Sequence, residues 1–141
     1  MKKIFTPLAL SVLLCGNLAY AAETGVPTYS LEAGTGHVVS VDAGLMFYDD
    51  GGPDANITPG FEGTVTFVPE ASGKVLMINA EDFSIGRGAL HVYSGREADA
   101  AHILGKEAGY STTTGPSILL SKAADGSLTV SFTANATAST L

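Results

Sequence analysis

Residues 127–133 read SLTVSFT and residues 62–68 read EGTVTFV. Large apolar residues take every second position in both: Leu128, Val130 and Phe132 in one, Val65 and Phe67 in the other, with Ser and Thr between them. Successive side chains of an extended strand point to opposite faces, so this alternation predicts strands with one greasy and one polar face. Working outward, residues 38–41, 45–48, 74–79, 89–94 and 117–121 give further short β-branched or aromatic runs. Val75, Leu76, Met77 and Ile78 are continuous, as suits a strand covered on both faces. After Leu18 no segment keeps a 3.6-residue apolar period over three turns. The one helical candidate, residues 96–106, predicts at most one or two turns beside the sheet. Residues 69–73 form a connection, and Asp125-Gly126 is a strong turn dipeptide that predicts a hairpin over residues 117–133. Short strands punctuated by Gly, Pro, Asn and Asp predict an all-β sandwich or barrel.

The N-terminus carries a different signal. Lys2 and Lys3 precede an apolar run at residues 4–14, which is too short for the roughly 20 residues that span a bilayer. Ala19-Tyr20-Ala21 then offers small residues where a signal peptidase reads. Residues 1–21 are therefore expected to be a signal peptide cleaved before Ala22, residues 22–44 an N-terminal segment, and residues 45–141 the sandwich domain. Cys15 is the only cysteine; a lipid-anchor signal needs a small residue just before it, where this chain has Leu14, so simple cleavage is favoured over lipidation. The expected product is secreted or held at the cell surface, in the periplasm or outside the cell, with no stable membrane span. It has no cysteine, so packing alone must hold it. Losing Lys2 and Lys3 takes the formal charge from −7 to −9. That balance argues against a nucleic-acid partner, whose phosphates need a basic patch, and against docking on anionic lipid.

Chemistry-bearing residues are sparse. Residues 49–60 read DDGGPDANITPG, a shaped polar loop. Asp49, Asp50 and Asp54 are candidate metal residues, with Asn56 and backbone carbonyls as helpers, and calcium is the ion they would suit. The competing reading is a turn whose aspartates cap backbone N–H groups, and loop composition favours it. His37, His91 and His102 do not share metal-ligand spacing. No serine sits in a Gly-x-Ser-x-Gly elbow. Glu81 and Asp82, being adjacent, would point opposite ways on a strand and make a poor carboxylate pair for glycoside hydrolysis. Arg87, between two glycines, reads as a loop cation. Tyr29, Tyr48, Tyr93 and Tyr110 are candidates for a sugar-stacking platform, with core or edge packing as the favoured alternative.

Five stretches carry a family resemblance: FYDDGGPDANI (47–57), TVTFVP (64–69), GKVLMINAEDF (73–83), ALHVYSGRE (89–97) and SKAADGSLTVSFTAN (121–135). In order and spacing, over roughly residues 45–135, the chain resembles a CUB-like domain in the cysteine-free form of secreted Bacteroidetes-type bacterial proteins. The resemblance implies an antiparallel, jelly-roll-like β-sandwich that recognises an extracellular protein or glycan without catalysis, and the contacts are expected through loops at one end of the sandwich, including residues 49–60. The alternative is a carbohydrate-binding accessory domain of a surface polysaccharide-handling protein. The acidic positions through which many family members bind calcium fall here on Gly86, Gly88 and Asn135, so that site is not carried over and no cofactor is expected. The family's last strand, built on Gly-Trp/Phe-x-Ala, has no counterpart, so the resemblance implies a sandwich lacking that strand.

Overall fold

A computed structural model describes residues 8–13, 26–52, 55, 57–80, 88–111 and 115–135. Among them, ten strands build two five-stranded sheets: β1 Leu8–Leu13, β2 Thr28–Ser30, β3 Gly34–Val41, β4 Gly44–Tyr48, β5 Glu62–Pro69, β6 Val75–Ala80, β7 Gly88–Ser94, β8 Ile103–Leu104, β9 Leu119–Leu120 and β10 Leu128–Ala134. One sheet runs β2-β4-β1-β6-β9 and the other β3-β5-β10-β7-β8. The all-β expectation holds. Within the helical candidate, only Ala100–His102 coils, as a single 3-10 turn capped by Asp99 before β8 begins.

Alternation places the core. Val65, Phe67, Leu90, Val92, Leu128, Val130 and Phe132 line the inner face of one sheet, and Leu45, Phe47, Leu76 and Ile78 that of the other; all belong to one buried cluster. The Phe47 and Phe67 rings meet across the two layers with centroids 5.3 Å apart. Tyr29 sets its ring edge-on to Phe67 at 6.0 Å. The outer face of the second sheet carries a polar row instead. Thr66 and Thr129 pair directly and hydrogen-bond through their hydroxyls at 2.9 Å, and the Thr64 hydroxyl donates to Ser131 at 3.2 Å. On β6, Leu76 and Ile78 are buried while Val75 and Met77 are half-buried, so one face is sealed more fully than the other.

Four findings depart from the sequence reading. The sheets are not wholly antiparallel: β2 runs parallel to β4 and β3 parallel to β5. Residues 117–133 are not a hairpin. β9 pairs with β6 in one sheet and β10 with β5 and β7 in the other, so the Asp125-Gly126 turn carries the chain between layers. The dipeptide marks the reversal correctly, but a turn does not specify which strand its neighbours pair with. Residues 28–41, inside the segment set apart from the domain, supply β2 and β3, one to each sheet. The apolar run of the expected leader supplies β1, antiparallel to both β4 and β6; the cleavage position and Cys15 lie outside the described residues.

Register defines two ends. At the upper end β3, β5 and β7 finish, and β4, β6 and β10 begin; at the lower end lie Tyr48, Glu62, Gly88 and Ala134. Gly126 sits at the upper end with φ +74, and a Cβ there would overlap the Lys74 carbonyl. Its own carbonyl accepts from the Leu76 N–H at 3.0 Å. Gly126→Ala must bear left-handed strain and push two layers apart. The expected cost is about 2–4 kcal/mol, a fall in Tm on the order of 10 °C by thermal denaturation. A melt within about 2 °C of the parent would contradict this account of the crossing.

Candidate functional site

The lower end holds the aspartate loop. Asp49 follows Leu45 and Phe47 on the inner face of the first sheet, which is why it is buried at 3 % exposure. Its Oδ1 accepts from the Gly51 N–H at 2.9 Å, and its carbonyl from Gly52 at 3.1 Å. The Asp50 carboxylate accepts from the Thr58 N–H at 3.1 and 3.3 Å, closing the loop across eight residues. Both aspartates thus cap backbone donors. Asp54 and Asn56 lie outside the described residues, and among those described no cluster of three His, Cys, Asp or Glu could hold a metal ion. Of the family's calcium positions, Gly88 and Asn135 come together at this same end, while Gly86 lies outside the described residues. A Cβ on Gly88 would press on the Thr133 carbonyl, so packing leaves no room there for an acidic side chain.

The upper end holds a cleft of about 460 Å³, within the range of small-ligand sites. Its rim carries Arg96, Glu97, His102 and Lys122, and one wall is Ile103 and Leu104. Of the buried hydroxyl residues nearby only Ser94 lines the cleft, and a network of hydroxyl hydrogen bonds ties together the loops that form it. Ser94 Oγ accepts from the Lys122 N–H at 2.7 Å and contacts Ser121 Oγ at 3.5 Å. Ser121 Oγ donates to the Ser127 carbonyl at 2.7 Å and accepts from the Ala123 N–H at 3.1 Å. Thr129 donates to the Gly95 carbonyl at 2.8 Å, and the Gly95 N–H donates to the Ser127 carbonyl at 2.9 Å. These bonds lock the loop after β7 to the loop before β10.

Charge on the rim is ordered. Arg96 Nε donates to Asp125 Oδ2 at 2.6 Å. The Ser127 hydroxyl, then Arg96, hold the Asp125 carboxyl down at about 2. The Ala101 N–H, with help from His102, holds the Asp99 carboxyl below its usual range. Asp99 Oδ1 accepts from that N–H at 3.0 Å, and Oδ2 meets His102 Nδ1 at 3.2 Å.

The other singled-out residues disperse. His37 meets the Ala33 carbonyl at 3.0 Å near the lower end, and His91 stacks on Tyr93 at 6.3 Å on the outer face of β7. The tyrosines do not form one platform. Tyr29 packs on Phe67, Tyr48 lies on the outer side of β4, Tyr93 on the outer face of the other sheet, and Tyr110 is buried at a bridge to Leu90. Glu81, Asp82 and Arg87 lie outside the described residues. The cleft was not read from the sequence. Arg96 and Lys122 are ordinary cations 26 positions apart, and the only hint was that a turn glycine or turn dipeptide stands near each.

No protein-family model matches the chain, and no curated protein or solved structure compared with it gives a match. No helix among the described residues is long and apolar enough to cross a membrane.

Burial pushes the Asp49 carboxyl up to about 7, with the Asp50 charge adding to the rise and the Gly51 and Gly52 N–H groups opposing it. Between the ordinary 3.8 and about 7, the folded chain keeps a proton that the unfolded chain has released. Stability therefore falls as pH rises through that window, by about 1.4 kcal/mol per unit of difference at the limit. Asp49→Asn keeps an oxygen for Gly51 and removes the titration. The variant is expected to flatten the slope of Tm between pH 5 and 8 and to melt higher than the parent at pH 8. An unchanged slope would refute the assignment.

Proposed function

We propose that the protein is an exported, non-catalytic recognition module on a CUB-like sandwich, and that it takes a sugar unit of an extracellular glycan in the upper cleft. The observation that carries this reading is the cleft's construction. Buried Ser and Thr hydrogen bonds tie together the loops that line it before any ligand arrives, so little ordering entropy is lost on binding. An arginine, a lysine, a glutamate and a histidine line it together with Ile103. Hydroxyl-rich ligands suit such a mixture: charged side chains donate to and accept from the hydroxyls, and the C–H face of a sugar ring lies on the half-buried Ile103.

The non-catalytic reading is supported by the serines. Ser94 and Ser121 have their hydroxyls engaged in hydrogen bonds to neighbouring segments, and His102 meets Asp99. The CUB-like reading is supported by two sheets over one core and by the inner-face placement of Phe47, Val65, Phe67, Leu76, Val92 and Phe132 from the resembling stretches. Export is supported by Lys2, Lys3, the apolar run and Ala19-Tyr20-Ala21.

A glycan array followed by titration calorimetry tests the proposal. The parent is expected to select a restricted set of glycans. Arg96→Ala with Lys122→Ala is expected to weaken binding at least about tenfold with little change in melting, since both side chains are exposed. Equal binding by parent and variant, or no glycan bound at all, would contradict it.

A further inference from the structure

The strand Leu8–Leu13 fills a slot rather than an edge. It pairs antiparallel with β6 from Leu8↔Ala80 through Leu13↔Val75, and with β4 from Leu8↔Phe47 through Ser11↔Gly44. It is the central strand of its sheet. Register pairs Leu8, Leu10 and Val12 with Phe47, Leu45, Ile78 and Leu76 in the neighbouring strands; those four partners are each 5 % exposed or less. Ala9 and Ser11 fall on the other face. The apolar run of the expected leader thus also carries the period-2 pattern of a sheet strand.

Taking residues 1–21 away splits that sheet into β2-β4 and β6-β9, with a gap of about 10 Å, twice the usual interstrand spacing. Both rims of the gap then present unpaired N–H and C=O groups, and Leu45, Phe47, Leu76 and Ile78 line its base. Each flank keeps a tie of its own on the side away from the gap or at its end. β4 is tied to the chain before and after β2 by Met46 N–H to the Pro27 carbonyl at 2.9 Å and Leu31 N–H to the Tyr48 carbonyl at 3.0 Å. β6 is tied to the interlayer crossing through Leu76 and Gly126. Side-by-side closure would also have to pair β4 with β6 in parallel, a register neither makes here, because both run antiparallel to β1.

We propose that this slot is a strand-acceptor groove, held by Leu8–Leu13 until the leader is removed and taken afterwards by an extended segment of another polypeptide. The incoming strand runs antiparallel to both β4 and β6. It carries large aliphatic residues at the alternate positions now held by Leu8, Leu10 and Val12, with small residues between. Main-chain hydrogen bonds on both sides provide affinity, and the alternate pockets provide selection. The proposal rests on the export reading through leader removal but not on the glycan cleft, which none of the residues Leu8–Leu13 lines.

The test has three parts. The N-terminus of protein recovered from an exporting host is read by mass spectrometry. The processed protein is then titrated with a synthetic peptide carrying Leu8–Leu13 between solubilising lysines, and with the same peptide bearing Leu10→Asp. Finally, the six residues Leu8–Leu13 are appended after Leu141 through a flexible linker. Saturable one-to-one binding of the first peptide, a rise in Tm on the order of 5–10 °C and at least about tenfold weaker binding of the Leu10→Asp peptide are expected. Should the processed protein aggregate when alone, recovery of folded monomer on appending the strand, lost again with Leu10→Asp in the appended copy, supports the groove. Failure of both the peptide and the appended strand overturns it. An exported protein that still begins ahead of Leu8 overturns the exchange and leaves the sandwich untouched.

Discussion

The structure depends on the meeting of Phe47 and Phe67 across the two sheets. Each lies on the inner face of an alternating strand, and each is at most 1 % exposed. With no disulfide among the described residues, the interlayer contact is what makes two sheets one object. Replacing such a ring by a methyl group typically costs about 3–5 kcal/mol, a large share of a small domain's stability. The loops at both ends inherit their positions from this contact. Asp49 is buried because it continues the inner-face register of Leu45 and Phe47, and the loops that line the cleft are tied to β7 and β10, whose inner residues pack against the same cluster.

The two ends put polar groups to different uses. At the lower end a carboxyl is carried into the rim of the core and raised in pKa by burial. At the upper end the hydroxyls of Ser94, Ser121 and Thr129 are buried but satisfied, each bonded to a neighbouring chain segment. Satisfied buried hydroxyls rigidify; a buried carboxyl costs stability whenever it must ionise. The end that is held rigid is also the end with a cleft.

Much of the fold was legible in the sequence because period-2 alternation reports burial directly. Residues 62–68 and 127–133 fall where expected, to within a residue, as β5 and β10. What alternation does not report is pairing. The parallel partners of β4 and β5 leave no local trace, and the Asp125-Gly126 turn carries a hairpin signature although it joins different sheets. β2 and β8, three and two residues long, are too short for any period to register. The apolar run at residues 4–14 was read for its hydropathy alone, and its alternation became meaningful only beside β4 and β6. Of the candidate sites, the capped turn at Asp49 and Asp50 was legible from composition. The cleft was not, since it is assembled from segments brought together only by the β7–β10 ladder.

The most direct measurement is a proton cross-relaxation spectrum of the protein labelled at phenylalanine. Ring centroids 5.3 Å apart bring some Phe47 and Phe67 protons within about 5 Å of one another, so a cross-peak between the two rings is required. Its presence, with amide shifts of extended chain through residues 62–69 and 128–134, is the predicted result. Well-dispersed spectra without that cross-peak, or shifts typical of helix or coil across those residues, would contradict the two-layer structure.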